Sequence, residues 1–245
     1  MHKYFLVVIV VIFFASCNTQ KKGDVQGIID KTIQVSGGDK IKNSTISFDF
    51  RTKHYKAIRN NGKFQFERQF KDSLNQIKDV LSNDGFQRFI NNESVKVKDS
   101  MIPRYSASVN SVHYFSVLPF GLNDAAVNKE YLNDVEIKGN VYHKIKITFN
   151  EAGGGEDFED VFVYWINVKT FKTEYIAYSY NESDGLGFRF REAYNERFIN
   201  GIRFVDYNNY KPNDTATSVF NLDTLFENKT LKLLSKIELK NITVN

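Results

Sequence analysis

The chain has 245 residues, with 33 basic and 29 acidic side chains and a formal net charge of +4. This small excess of positive charge, without long runs of one sign, argues against a nucleic-acid-binding surface, and we expect no nucleic-acid partner. The single cysteine excludes disulfide frameworks, while 15% aromatic residues and only three prolines favour a chain rich in β-strands.

The first predicted element is a secretory signal peptide. A basic residue near the start is followed by an apolar run over residues 4–15. This arrangement is typical of signal peptides, whereas a membrane-spanning helix needs about 20 apolar residues. We therefore expect residues 1–16 to be a signal peptide.

The end of this segment resembles the lipobox of bacterial lipoproteins. Residues 14–17 read Phe-Ala-Ser-Cys, with small side chains before the cysteine and phenylalanine where leucine is usual. The resemblance implies that Cys17 carries lipid, that residues 17–24 are a tether, and that the protein is anchored to a membrane through its N-terminal lipid. The alternative is a signal peptide in which Cys17 lies at this place by chance.

A helix and a long series of strands follow the tether. Apolar residues at 25, 28, 29 and 33 share one helical face, and the glycines at 37–38 predict where that helix ends. From residue 44 the apolar residues alternate with polar ones, and the turns at 59–62 and 82–85 are typical of hairpins. We expect about ten antiparallel strands in one domain over residues 25–245.

Helical segments interrupt the strands. The residues at 106–118 and 123–132 favour two helices, with Asp124 as a good N-cap for the second, and a short third helix is expected at 221–228. The predicted fold class is mainly β (α+β), a curved antiparallel sheet or half-barrel with an N-terminal helix. Residues 106–132 would form a helical cover inserted midway.

This order of elements resembles the fold of the outer-membrane lipoprotein-sorting proteins LolA and LolB. The hairpin at 163–180 is similar to a strand–Asp-x-x-Thr–strand hairpin of that superfamily, with Asn167 in place of aspartate. The hairpin at 135–149 also resembles one of theirs. Nearly the whole chain after Cys17 resembles an uncharacterised family of Bacteroidota lipoproteins, which carries over no catalytic residue. Four tripeptides resemble the O-glycosylation signal of that phylum: 72–74, 99–101, 214–216 and 223–225.

The polar residues predict no metal site and no cofactor. His54, His113 and His143 have none of the spacings that zinc ligands show within a short motif. The acidic, glycine-rich segment at 151–160 lacks the regular ligand alternation of a calcium loop, so a charged hairpin tip is the favoured interpretation. Neither a nucleophile elbow nor a phosphate-binding loop is present.

Aromatic residues at alternating strand positions form the candidate ligand site. They would line a cavity under the helical cover, although a plain packed core is the alternative. The arginines at 189, 191 and 203 would point to the opposite face, solvated or paired with Glu192 and Asp206. The candidate ligand-binding residues are Phe48, Phe50, Phe64, Phe66, Phe149, Trp165, Phe188, Phe190 and Phe204, and those of the cover are Val109, Val112, Phe115 and Leu118.

The fold resemblance and the aromatic pattern predict a non-enzymatic, lipid-anchored envelope protein that binds a lipid or an acyl chain. We expect a monomer at the outer membrane, facing the periplasm, because no acidic run follows Cys17. One alternative is an interaction or scaffold module with a fully packed core. The other is a hydrolase that uses carboxylates or His113 near the mouth of the cavity.

Overall fold

The computed structural model describes residues 24–155, 158–182, 185–213 and 218–245. The expected signal peptide, Cys17 and the tripeptide at 214–216 lie outside these residues, as does the tether except for Asp24. Within the described ranges, no helix combines the length and the apolar character needed to cross a bilayer.

The first helix lies where the sequence predicts it. Helix α1 spans Val25–Val35, and the carboxylate of Asp24 caps it by accepting a hydrogen bond from the backbone N–H of Gly27 at 2.9 Å. Its apolar side buries Ile28 and Ile29. The helix ends before Gly37, whose φ of 81° is readily adopted by glycine, and a single turn, α2 (Gly38–Ile41), follows.

The first half of the chain forms an antiparallel meander, here called sheet A. The predicted turn at 59–62 is confirmed, because Asn61 and Gly62 both have positive φ, as a tight hairpin requires. The strands lie in the order β14-β1-β2-β3-β4-β5-β6. Their bounds are β1 Asn43–Phe50, β2 Lys53–Asn60, β3 Lys63–Lys71, β4 Gln76–Ser82, β5 Gly85–Ile90, β6 Glu93–Val95 and β14 Leu239–Val244.

The second half forms another antiparallel meander, sheet B. Its strands lie in the order β13-β12-β11-β10-β9-β8-β7. In the β9–β10 hairpin, the side-chain oxygen of Asn167 accepts hydrogen bonds from the backbone N–H groups of Lys169 and Thr170. The bounds are β7 Val127–Ile137, β8 Asn140–Phe149, β9 Val161–Asn167, β10 Thr173–Glu182, β11 Gly185–Ile199, β12 Ile202–Pro212 and β13 Leu231–Ile237.

The predicted fold class is confirmed, but the strands are more numerous and are divided differently. The described residues contain fourteen strands in two curved, unclosed sheets rather than about ten in one. Only Glu238 separates β13 from β14, so the last stretch of chain crosses from sheet B to sheet A. Strands that change sheets in this way form the corners of two-layer β folds.

The midway cover is one helix, α3, and not two. Helix α3 spans Ile102–Ser116 and begins one turn before the predicted residue 106, with Pro103 in its first turn. The helix predicted at 123–132 is wrong, because residues 127–132 belong to β7. There Val127 and Tyr131 alternate with exposed Asn128 and pair with β8, so tertiary pairing overrides a helical preference. The short third helix is confirmed as α4, Leu222–Glu227.

Candidate functional site

Sheet B is covered on both faces. Its inner face packs against α1 and the end of α3 through Ile145, Ile147, Phe162, Tyr164 and Ile176. Its outer face is covered by the segment that contains α4. There the side chains of β9, β10 and β11 pack against three apolar residues of that segment, Val219, Leu222 and Phe226.

A cavity of about 250 Å³, here called cavity 1, lies between α3 and the inner face of sheet B. The C-terminal crossing closes one side of it, because Ile237 and Leu239 both line the wall. Most of the lining is apolar or aromatic, and Arg191 is the charged side chain among the described residues that line it. The lining residues are Phe50, Ser111, Val112, Phe115, Ser116, Tyr178, Arg191, Val205, Tyr207, Ile237 and Leu239.

A second cavity of about 370 Å³, cavity 2, adjoins the first. Ser111, Phe115 and Tyr178 line both cavities, so the two volumes meet at these side chains. Cavity 2 extends along α3 past Ala107 to the acidic segment, where Gly154, Gly155 and Asp160 contribute to its wall. Individually, the two volumes lie near the lower end of the range for ligand pockets, about 300–1,000 Å³.

The predicted aromatic residues divide between the cavities and the core. Phe50 lines cavity 1, and Phe64 and Phe149 line cavity 2. Phe48 and Phe204 are instead fully buried in a cluster between β1, α2 and β12. Phe66 stacks on the ring of His113 at 4.7 Å and is not among the lining residues of either cavity.

Three predicted residues lie on the wrong face of sheet B for a cavity role. Trp165, Phe188 and Phe190 point to the outer face, where they pack under α4. The indole N–H of Trp165 donates to the carboxylate of Asp223 at 3.1 Å. Both faces of this sheet are apolar at its centre, so alternation alone does not show which face meets the cavity.

The predicted residues of the helical cover also fall into two groups, one that lines a cavity and one that lies in the core. Val112 and Phe115 of α3 line cavity 1, as expected for residues that face sheet B. Val109 is fully buried, and Leu118 packs with α1 and Leu122 in the main core. The cover therefore presents only part of its apolar surface to the cavities.

Arg191 points to the face of β11 opposite Phe188 and Phe190, as predicted, but the predicted solvation or pairing is wrong, because that face is buried. Its guanidinium lies over the ring of Phe115, 4.0 Å from the centroid, and donates to the hydroxyl of Tyr178 at 2.7 Å. No ion pair involves Arg191 within the described part of the chain. Arg203 pairs with Glu196 rather than with Glu192 or Asp206.

The candidate hydrolytic residue His113 does not reach either cavity. Its side chain is fully buried against sheet A, and its Nε2 lies 3.0 Å from the backbone carbonyl oxygen of Glu67. Burial lowers its pKa to about 3, so the ring is neutral at ordinary pH. His54 and His143 each bond an aspartate, at 2.7 Å.

The described residues contain no group of three or more histidine, cysteine, aspartate or glutamate side chains placed to hold a metal ion. The acidic segment at 151–160 forms the β8–β9 connection, of which residues 156 and 157 lie outside the description. The part described contributes Gly154, Gly155 and Asp160 to the wall of cavity 2.

A buried charge cluster fixes α3 to sheet A. Asp79 of β4 is fully buried and pairs with Arg68 and Arg88, each at 2.6 Å. Arg68 also donates to the hydroxyl of Ser108 on α3 at 2.6 Å, and Arg88 lies over the ring of Tyr105, 3.8 Å from the centroid. These contacts hold the N-terminal half of α3 on sheet A, while its other side faces the cavities.

Sequence reasoning missed Tyr178, Arg191 and Tyr207, which line cavity 1. Tyr178 and Tyr207 belong to strands in which both alternating sets of residues include large apolar side chains. The feature of the sequence that could have revealed them is the continuous apolar stretch of β9, which is typical of a strand covered on both faces. Such a strand indicates that both faces of sheet B are buried, including the face on which Tyr178 and Tyr207 lie.

Comparison with solved structures finds several to which the chain is similar. It is similar to a LolA superfamily protein of Nitrosomonas europaea, with a TM-score of 0.48 and 10% identity over 90% of this chain and 91% of the other. A putative outer-membrane lipoprotein-sorting protein domain of Vibrio parahaemolyticus gives a TM-score of 0.38 and 8% identity, covering 81% and 98%. The lipoprotein LppX of Mycobacterium tuberculosis gives 0.30 and 12%, covering 65% and 90%.

No curated protein matches the chain. A family model does match it, over residues 2–239, which is almost the whole sequence. That family is described only as one of unknown function, so the match transfers no activity. The chain belongs to this family of unknown function, DUF6503.

Proposed function

We propose that this protein is a lipid-anchored envelope protein that binds an apolar ligand, a lipid or an acyl chain, between α3 and sheet B, without catalysing a reaction. The observation that carries the proposal is the pair of adjoining cavities lined by aromatic and aliphatic side chains. A scaffold module with a fully packed core would have no such volumes.

Binding would be driven by burial of the ligand's hydrocarbon. Each methylene group removed from water contributes about 0.8 kcal/mol. A chain that extends from cavity 1 past Phe115 and Tyr178 into cavity 2 would bury more methylene groups than either cavity could alone. The side chains that line both cavities therefore determine the length of the hydrocarbon chain that the site accepts.

Entry of the ligand would require α3 and the inner face of sheet B to move apart. The contacts of Phe115 with Phe162 and Tyr178 are between rings, at 6.0 and 5.5 Å, whereas the other side of α3 is held by buried charges. Among the described residues, no ion pair joins α3 to sheet B on the aromatic side, so we propose that α3 stays on sheet A when the site opens.

Anchoring belongs to the same proposal. Lipid on Cys17 would hold the domain at a membrane, as an outer-membrane lipoprotein facing the periplasm, and we propose a monomer there. Two or more acyl chains anchor a protein stably, whereas one does so only marginally. Metabolic labelling with an alkyne-bearing palmitate analogue should mark the wild-type chain and not the Cys17→Ser variant; labelling of both would contradict attachment at Cys17.

Ligand binding is tested with an uncharged fluorescent probe, N-phenyl-1-naphthylamine, and with the chain from residue 24 to 245, which carries both sheets and all three core clusters. We expect saturable binding with increased fluorescence. Ser111 lines both cavities, so Ser111→Trp should fill their junction and lower probe affinity at least tenfold.

The matched control is Arg104→Trp, which introduces the same side chain at an exposed position of the same helix. This variant should bind the probe as the wild type does, and circular dichroism should show that both variants are folded. Wild-type protein that binds no probe, or Ser111→Trp protein that binds it normally, would contradict the proposed cavity function.

A further inference from the structure

Arg191 is a buried cation without a counter-ion among the residues that the structure describes. Only 8% of its surface is exposed, and no carboxylate of the described residues forms an ion pair with it. Its Nε is buried and has no hydrogen-bond partner among the described protein atoms. A buried charge is normally paired, because removing it from water costs several kcal/mol.

The surroundings of Arg191 compensate this cost only in part. The rings of Phe115, Tyr178 and Tyr207 lie 4.0, 5.0 and 5.9 Å from the guanidinium carbon, close enough for cation–π attraction. One hydrogen bond, to the hydroxyl of Tyr178, is made at 2.7 Å. A guanidinium has five N–H donors, so most of its hydrogen-bonding capacity is left for another partner.

The position of Arg191 indicates what that partner is. The side chain lines cavity 1 together with the hydroxyl-bearing residues Ser111, Ser116 and Tyr207. An oxyanion held there would accept hydrogen bonds from a guanidinium, whose planar set of donors matches the geometry of carboxylate and phosphate groups. The adjacent apolar walls would hold a hydrocarbon chain attached to that oxyanion.

Other arginines of the molecule do not share this combination. Arg68 and Arg88 neutralise Asp79, and Arg203 pairs with Glu196. Each of these cations has an acidic partner within the protein. Arg59 also forms no ion pair among the described residues, and its Nη1 is buried without a hydrogen bond, but it lines neither cavity. Arg191 therefore combines the lack of an acidic partner among the described residues with a place in a cavity wall.

We propose that the cavity selects anionic amphiphiles, and that Arg191 binds the carboxylate or phosphate oxyanion of the ligand's headgroup. This inference rests on the proposed function, since it requires that the cavity hold a hydrocarbon chain. Beyond the proposed function, it states that the ligand is negatively charged and that Arg191 recognises that charge.

The test compares four probes with the same twelve-carbon chain, laurate, dodecyl phosphate, 1-dodecanol and dodecyltrimethylammonium, each displacing N-phenyl-1-naphthylamine below its micelle concentration. We expect at least one anion to bind roughly tenfold to a hundredfold more tightly than the alcohol, as for a hydrogen-bonded charge. The cationic probe should bind most weakly. Whichever anion binds more tightly identifies the source as a fatty-acid or a phosphate headgroup.

The key variant is Arg191→Met, which keeps an unbranched side chain and removes the charge. It should lose the preference for the anion over the alcohol while still binding the alcohol and the neutral probe. Arg191→Lys should keep a preference for anions, and Arg104→Met, at the exposed site on α3, should behave as wild type.

The outcomes separate the two proposals. If wild type binds the alcohol as tightly as both anions, or if Arg191→Met keeps the anion preference, the role of Arg191 is overturned while the binding function stands. If neither the neutral probe nor any amphiphile binds wild type, both proposals fail. Should Arg191→Met not fold, the wild-type headgroup series and Arg191→Lys still decide the question.

Discussion

His113 shows at the scale of one residue how burial determines chemistry. Its ring lies between Phe48, Tyr55 and Phe66 on sheet A, with centroids 4.7 to 5.9 Å away. Loss of hydration in these surroundings lowers its pKa to about 3. The residue is therefore a neutral part of the core that orients α3, and not a proton donor at neutral pH.

This burial predicts a pH dependence of stability. Between pH 6.5, the ordinary pKa, and about 3, the unfolded chain binds a proton at His113 that the folded chain does not. The free energy of unfolding should therefore fall as pH decreases, by up to about 1.4 kcal/mol per pH unit from this group. Urea unfolding between pH 7 and 5 measures the slope.

His113→Gln should flatten this slope, because glutamine does not titrate and its amide can replace the bond to the carbonyl of Glu67. His54→Gln, which removes an exposed histidine, is the matched control and should leave most of the slope in place. Equal slopes for wild type and His113→Gln would show that His113 is not the source of this pH dependence.

At the scale of the element, α3 is held asymmetrically. One side is fixed to sheet A by the Arg68–Asp79–Arg88 cluster and by Ser108, and the other contacts sheet B through aromatic rings. The hydrogen bonds to Asp79 raise the pKa of Arg88 above its ordinary value, which keeps the cluster charged. The contact of α3 with sheet A is held by ion pairs, whereas its contact with sheet B is apolar. The contact with sheet B can therefore open while the contact with sheet A is kept.

Asp79→Asn should therefore be strongly destabilising. It leaves two largely buried guanidinium groups without an acid, a change that typically costs about 3–5 kcal/mol. Chemical unfolding should show the loss, and Asp84→Asn, at an exposed hairpin turn of the same sheet, should change stability by less than about 0.5 kcal/mol. A similar small effect for Asp79→Asn would show that the cluster does not anchor α3.

The turn between α1 and α2 also ties two parts of the fold together. A side chain at Gly37 would meet the backbone oxygen of Gly201 at 2.3 Å, and the backbone N–H of Arg203 donates to the carbonyl of Ser36 at 3.1 Å. Gly37→Ala should lower the free energy of unfolding by at least about 1–2 kcal/mol, the cost of the left-handed conformation alone. Gly62→Ala is the control, since its φ is also positive but no atom lies near its added carbon.

For the whole molecule, ligand binding predicts a concentration-dependent gain in stability. A ligand at one hundred times its dissociation constant stabilises the folded state by about 2.7 kcal/mol. In a domain of this size that corresponds to a rise in melting temperature of roughly 5–10 °C. Differential scanning fluorimetry with the tightest of the twelve-carbon probes should show this rise in wild type and not in Ser111→Trp.

Much of the fold is predictable because the sequence is locally consistent. The amphipathic residues of α1 and the Asn-Gly turn at 61–62 agree with the final structure, as does the helical pattern of α4. The match over residues 2–239 confirms the resemblance to an uncharacterised family. The helix predicted over residues 127–132 does not form, because pairing with β8 is a long-range property that a helix-favouring composition does not reveal.

The candidate site is less predictable for a physical reason. Alternation assigns Phe188 and Phe190 to one face of β11 and Arg191 to the other, but it does not show which face meets α3. A second cover, α4, makes the outer face apolar as well, and Lys144 and Asp223 fix it there through an ion pair at 2.6 Å. The sequence predicts that Arg191 is solvated or paired because it lies opposite the aromatic set, but that opposite face is itself buried under α3.

The crossing from β13 to β14 has a consequence for how the chain folds. The side chains of Asp49 and Asn241 bond across 192 residues, so β1 and β14 can pair only after a very large loop closes. Such non-local pairing is slow, and we expect β14 amides to gain protection late in pulse-labelled hydrogen exchange during refolding. Because Ile237 and Leu239 line cavity 1, we expect its wall to be among the last parts of the molecule to be completed.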